Sequence, residues 1–245
     1  MEFNLITIFP EMFKSPLNES LIKKAQDKGL ISVSIYDLRN FASGKHGVTD
    51  DYPYGGGGGM IMKPEPIIRT LKEIKNKSRD AKVILLSPQG EMMTQSMLKK
   101  LASEKSLIII CGRYEGVDER IRNHYIDQEI SIGDYVLTGG ELPAMVLIDA
   151  VSRLIPGVVG NENSIKNDSF YSYLLDFPQY TRPDEIDGKR IPEVLLSGNH
   201  EQIRIWRRKE ALKRTLKRRP DLLKSVELTE EDKLILKEIK ASHNH

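Results

Sequence analysis

The sequence predicts an α/β domain built on a largely parallel sheet, followed by a smaller helical domain. Three observations carry this. Short apolar runs of strand type alternate with stretches of helical period through residues 1–160, the pattern that a parallel sheet with crossover helices requires. Three of those runs are each followed by a loop containing glycine. After a polar stretch without period, the remaining chain reads as helix and carries a different charge distribution. The expected organisation is an α/β domain over 1–160, a flexible linker over 161–175 and a helical domain over 176–245.

Taken in order, Leu5 to Phe9 is expected as a short buried strand ending at Pro10. Ser15-Pro16 reads as a cap followed by proline in the first helical turn, and Leu17, Leu21 and Ala25 keep helical spacing up to Gly29. Ile31, Val33 and Ile35 alternate with polar residues, as a half-buried strand would. Period is lost from Phe41 to Met60, where Gly44, Gly47, Pro53 and the run Gly55 to Gly59 predict a loop. Pro66 to Ile74 predicts a helix. Val83 to Leu86 predicts a buried strand, followed by Ser87-Pro88-Gln89-Gly90 and a helix around Ser96 to Leu101. Leu107 to Cys111 is the next strand, with Gly112-Arg113-Tyr114-Glu115-Gly116 after it and a short helix near Asp118 to Asn123. Glu129 to Ile132 is another strand, leading through Gly133 to Gly140 into a helix that starts near Glu141 and stops at Pro156-Gly157. Residues 161–172 are polar and aperiodic. Asn199, with Gln202 three residues on, caps a helix that Pro220 ends, and Thr229 caps a last helix with an acidic first turn.

Composition removes several classes. Among 245 residues there are 37 basic and 35 acidic ones and a single cysteine, Cys111, which forbids an internal disulfide or a multi-cysteine zinc site. No apolar run approaches the roughly 18 residues of a membrane span, and no secretory signal is read, so a soluble cytoplasmic protein is expected. The five histidines, His46, His124, His200, His243 and His245, have no metal-ligand spacing, and no metal is expected. Charge is uneven: ten basic and three acidic residues from Glu201 to Lys224 leave a local balance of +7, which suits a polyanion or a solvated helix face.

Glycine loops at the carboxyl edge of a parallel sheet are where ligands bind, because backbone groups converge there and glycine lets them approach a flat ligand. None of the loops has the G-x-G-x-x-G spacing of dinucleotide sites, and the five-glycine run lacks the lysine and hydroxyl residue of a phosphate loop, since Gly59 is followed by Met60. Cys111, closing an apolar strand, reads as a small buried hydrophobe. Arg153 near the end of an apolar helix and Asp168 in the polar stretch are by themselves a helix-dipole partner and an exposed acid or cap.

The motifs then point to a family. Ile6 to Phe13, Pro53 to Met60, Ser87 to Gly90, Cys111 to Asp118, Ser131 to Glu141, Pro156 to Val158, Asp176 to Pro183 and Ser197 to His200 resemble, in order and over nearly the whole chain, the bacterial tRNA (guanine-N1)-methyltransferases (TrmD). One departure is a fifth glycine at Gly58, where a variable residue is expected. The resemblance implies a SPOUT-type parallel sheet with a deep trefoil knot and a small C-terminal helical domain. It implies a homodimer with its active site at the subunit interface, methylating N1 of guanine 37 in tRNA from S-adenosylmethionine. It places the donor site on Leu86, Ser87, Pro88 and Gln89; on Gly112, Tyr114 and Glu115; and on Ile132, Gly133, Asp134, Tyr135, Val136, Leu137, Gly139, Gly140 and Pro143. Asp168 becomes the general base and Arg153 the group that stabilises the developing charge. Contacts to tRNA are expected at Tyr54, Gly55, Ser197, His200, Arg204, Arg207, Arg208 and Lys209, the last four touching phosphates. Ile205, Leu212 and Leu216 are expected to pack inward, with Trp206 in a core or a dimer contact. Rival readings are methyl transfer to a ribose hydroxyl or another base, and a non-catalytic RNA-binding module.

Overall fold

The computed structural model describes residues 1–44, 47–160 and 168–242. The chain divides into two compact units, Met1–Glu162 and Asn163–His245. His46, His243, His245 and the first part of the expected linker, 161–167, lie outside the described residues.

The N-terminal unit is built on a five-stranded sheet. Its strands are β1 (Glu2–Thr7), β2 (Ser32–Asp37), β5 (Lys82–Met92), β6 (Ser106–Cys111) and β7 (Gln128–Ser131), in the spatial order β2-β1-β6-β5-β7. All pairings are parallel. A two-residue ribbon, β3 (Asp50–Asp51) with β4 (Ile61–Met62), interrupts the glycine-rich loop. Alternation along the strands sorts side chains to two faces. Phe3, Leu5, Ile84, Leu107 and Ile109 face α2 (Ser20–Asp27), α4 (Gln95–Leu101) and α6 (Glu141–Ser152). Ile6, Val83, Leu85, Ile108 and Ile110 face α3 (Pro64–Lys77) and α5 (Glu119–Tyr125). Helices on both sides explain why β6 is buried at every position and apolar from Leu107 to Cys111.

Several local expectations shift. The first strand starts at Glu2 and ends at Thr7, and Pro10–Phe13 is a helical turn instead of a strand end. The helix expected after Ser15 breaks into α1 (Lys14–Leu17) and α2, whose first residue, Ser20, takes a left-handed φ of 52°. Ser15 is therefore inside a helix and caps nothing. Caps read from the sequence do form at Asn199, whose side chain accepts from the Gln202 N–H at 3.1 Å, and at Thr229, whose hydroxyl accepts from the Asp232 N–H at 3.1 Å.

The C-terminal unit pairs α7 (His200–Arg218) with α8 (Glu230–Ser242) around Leu174, Ala211, Leu212, Ile235, Leu236 and Ile239. Leu174, inside the stretch expected as linker, is buried in this core. A hairpin absent from the helical expectation joins β8 (Glu185–Ile186) to β9 (Lys189–Arg190). Its turn is Asp187-Gly188, both at positive φ (53° and 71°), the aspartate–glycine signature of a tight hairpin. Among the described residues, no helix is long and apolar enough to cross a membrane.

Candidate functional site

The site forms where β5 and β6 end together. Leu86 pairs with Cys111, so Ser87 and Gly112 leave the sheet side by side. Ser87-Pro88-Gln89-Gly90 is not a turn after a strand, as its sequence suggests. It is a bulge inside β5, since Leu86 and Glu91 both pair with Ile130 of β7. A bulge at this rim aims the Ser87–Gln89 segment away from the ladder. After β7, the loop through Gly133 returns to the same rim, where the Gly140 N–H donates to the Gly112 carbonyl at 2.9 Å. Gly140 needs to be glycine for closeness, since a Cβ there would sit 2.7 Å from Cys111 Cα.

These three loops enclose a cavity of about 410 Å³. Every residue expected to bind the donor lines it except Asp134, which is exposed in the loop. Gly112 opens onto this space: a Cβ built there would meet only Leu86 O at 3.8 Å and Leu85 Cδ1 at 4.0 Å. The wall combines apolar side chains (Leu86, Val136, Leu137, Pro143) with loop backbone, suited to a flat heteroaromatic ligand with hydrogen-bonding edges.

Three residues that the motif reading did not assign fix this wall. Glu141, fully buried, accepts from Thr7 Oγ1 at 2.8 Å and from Arg113 Nε at 2.8 Å. The Arg113 guanidinium lies 4.5 Å from the Phe9 ring centroid and also donates to the Thr138 carbonyl at 3.2 Å. One buried ion pair thus ties the end of β1 to two of the three loops. Arg122 does the same for the third, with Nη1 donating to Gln89 Oε1 at 2.5 Å beside Glu129 at 3.1 Å. The signals were present, an arginine between the glycines of Gly112–Gly116 and an acid opening an apolar helix, but nothing local joins positions 28 apart. Burial, then the Glu141 charge, holds the Cys111 thiol well above its usual range, in keeping with a small hydrophobe. Tyr114, at a left-handed φ of 59°, has its phenol raised by partial burial and then by the charge of Asp50.

Arg153 follows the last turn of α6, exposed. The helix starts at the cavity, so its 12 residues hold Arg153 about 18 Å along the axis from that wall of the same chain. Asp168 belongs to the C-terminal unit, where it lines a cavity of about 490 Å³ with His200, Arg204, Arg207 and Arg208. One expected base and four expected RNA contacts therefore meet in one depression.

Not all of those cations are alike. Arg208 makes a two-pronged pair with Asp232, at 2.7 and 2.8 Å, that joins α7 to α8. The Arg208 guanidinium, followed by backbone donation at Thr229, holds the Asp232 carboxyl below its usual range. Arg204 pairs with Glu201 and Glu231, and Lys209 with Glu238. Arg207 instead lies over the Phe177 ring, 4.9 Å from its centroid. Ser197 is used in its own turn, donating to the Val194 carbonyl and accepting from the Asn199 N–H. Tyr54 and Gly55 are exposed in the glycine-rich loop. Leu212 is buried and Leu216 partly so, but Ile205 is exposed, at the margin of the stripe set by Ala211, Leu212 and Thr215. Trp206 faces Tyr180 within its own unit. Among the described residues, no group of three or more His, Cys, Asp or Glu is placed to hold a metal ion.

A family model described as tRNA (Guanine-1)-methyltransferase TrmD matches residues 1–225. The tRNA (guanine-N(1)-)-methyltransferase of Dictyoglomus turgidum is 55% identical over 240 residues, covering 98% of this chain and 97% of its own. Those of Dehalococcoides mccartyi and Geobacillus kaustophilus are each 54% identical, over 245 and 238 residues, covering 100% and 97% of this chain and 99% and 98% of theirs.

Proposed function

Since this chain belongs to the tRNA (guanine-N1)-methyltransferase family, we propose that it methylates N1 of guanine 37 of tRNA, with S-adenosylmethionine as donor. The observation that carries the donor assignment is the cavity at the sheet rim. All three glycine loops converge on it, and Gly112 leaves it room for a ligand where any side chain would intrude. When bound, S-adenosylmethionine supplies an electrophilic methyl on a sulfonium. The loop backbone would offer hydrogen bonds to the donor's base, and Leu86, Leu137 and Pro143 would supply apolar contact.

The rest is proton handling. Guanine N1 keeps its proton near neutral pH, so a positioned base must remove it before N1 attacks. We assign this to the Asp168 carboxylate. As the proton leaves, negative charge moves to the guanine oxygen, where the Arg153 guanidinium stabilises it. The SPOUT-type knot goes with this reading. It is supported by the close passes of Gly140 over Cys111 and of Gly90 against Ile130.

A homodimer completes the site. Helix α6 also turns apolar side chains outward, Leu142 (49% exposed) and Val146 (45%) one turn apart, beside the exposed Asp149. The helix length that keeps Arg153 from its own cavity gives a second copy a role in the site. A cytoplasmic setting, where tRNA is modified, fits the same reading.

The test is incubation with labelled S-adenosylmethionine and tRNA transcripts that carry or lack guanine at position 37, with the product nucleoside identified by mass spectrometry. N1-methylguanine only in the first transcript is the expected result; label on ribose or on another base overturns the assignment. Asp168→Asn is expected to bind donor normally and lose most single-turnover rate. A near-normal rate removes Asp168 as base.

A further inference from the structure

We propose that an aromatic-walled groove on the C-terminal unit, which shares Phe177, Ile203 and Arg207 with the cavity that holds Asp168, is a stacking site for an unpaired base of the RNA substrate other than the one methylated. The proposal takes the tRNA substrate from the functional reading above. The groove encloses about 940 Å³, and Phe177, Tyr180, Pro183, Leu196, Trp206 and Arg207 form its walls. Tyr180 and Trp206 line it as a tilted pair, not stacked face to face: their ring centres are 6.3 Å apart and their planes meet at 48°. Tyr180 is 49% and Leu196 60% exposed, an apolar surface that the chain itself does not cover.

Charge decides what fits. Arg182 and Arg207 lie on the same lining, and the guanidinium of Arg207 is held over Phe177, with no ion pair to a carboxylate among the described residues. That marks it off from Arg204, Arg208 and Lys209, whose charges are already paired. An occupant must therefore be flat and apolar on its faces and anionic along its chain. An unpaired nucleotide has both properties, whereas a duplex buries its base faces and offers only phosphates. Asp184, also on the lining, offers a carboxylate to the polar edge of such a base, and Gln179, whose Nε2 donates to Asp176, offers its amide oxygen.

The chain has one tryptophan, Trp206, so intrinsic fluorescence reads this groove directly. The full-length protein would be titrated with a stem-loop RNA whose loop is unpaired and with a blunt duplex of equal length. The loop RNA is expected to quench Trp206 and the duplex to leave it unchanged. Tyr180→Ala should weaken loop-RNA binding about tenfold, as loss of one stacking partner does, and Tyr180→Phe should restore it. Duplex affinity and S-adenosylmethionine affinity should stay as in the parent. Equal quenching by the duplex, binding of loop RNA without quenching, or unchanged affinity in Tyr180→Ala would overturn the proposal. So would a changed oligomeric state of Tyr180→Ala with RNA affinity intact, which identifies the face as a contact between copies. Quenching is read without methyl transfer. Loop-specific quenching by a chain that fails to methylate guanine therefore overturns the functional reading alone, and methylation without quenching overturns this one alone.

Discussion

Replacing Gly140 by alanine tests whether the cavity is held by backbone-to-backbone contact. Its φ and ψ, −81° and −3°, are open to any residue, so alanine carries no torsional penalty there. The cost is steric. The added Cβ would lie 2.7 Å from Cys111 Cα and 3.0 Å from Gly112 N, about 1 Å inside normal carbon contact. Both atoms are main chain next to the central strand β6 and cannot rotate aside. The segment around Gly140 must retreat instead, stretching its 2.9 Å hydrogen bond to Gly112 and pulling on the Arg113–Glu141 pair. Overpacking of this kind costs about 1–3 kcal/mol, and a strained hydrogen bond adds up to about 1 kcal/mol. The N-terminal unit should therefore lose about 1–4 kcal/mol, and donor affinity should fall tenfold or more. Urea unfolding followed by circular dichroism measures the first, because Trp206 lies in the other unit and its fluorescence would report the wrong transition. Titration calorimetry with S-adenosylmethionine measures the second. Gly58→Ala is the matched control: a Cβ there meets nothing within 4 Å, and its φ is not left-handed. It should be neutral or up to about 1 kcal/mol stabilising, which accords with a variable residue being expected at that position. Parental stability and donor affinity in Gly140→Ala would refute the steric reasoning.

Three other outcomes follow from the same geometry. Glu141→Ala leaves Arg113 facing an emptied buried pocket and should cost about 3–5 kcal/mol, with Glu141→Gln milder; a urea shift below about 1 kcal/mol would remove the pair as the anchor of the loops. The Asp232 carboxyl is held below its ordinary value by Arg208, so the pair adds stability that is complete above the ~3.9 of an unfolded aspartate and is lost as pH falls through the depressed folded value. Trp206 fluorescence should report loosening of α7 in that acid window, and Asp232→Asn should abolish this pH dependence while lowering stability at neutral pH. Arg207→Gln should reduce the salt slope of tRNA binding by close to one counterion, whereas Arg208→Gln should chiefly destabilise the C-terminal unit; equal slope changes in both would show that the ion pair does not withhold Arg208 from RNA.

The helical caps at Asn199 and Thr229, the buried run Leu107 to Cys111 and the glycine loops after Cys111 and Ile132 were all legible in the sequence. Each is written in neighbours a few positions apart, and the forces that form it act over that range. Less legible were features whose partner is remote. Ser87 to Gly90 carries every mark of a turn, yet it is a bulge, because Ile130 of β7 pairs with the strand on both sides of it. The Asp187-Gly188 turn signal is equally local, although the chain after the polar stretch reads as helix.

By itself the sequence determined the main strands and helices of residues 1–160, which rim of the sheet carries glycine, and, through eight ordered motifs, the family to which the chain belongs. Only the tertiary structure decided which charges are free. Arg204, Arg208 and Lys209 read as a basic face until α8 brings Glu231, Asp232 and Glu238 against them, and Glu141 reads as the first acid of a helix until folding buries it between Thr7 and Arg113. A residue's local pattern is set by bonds along the chain. Its charge state and its partners are set by what burial removes from water and which opposite charge lies within about 3 Å when it does.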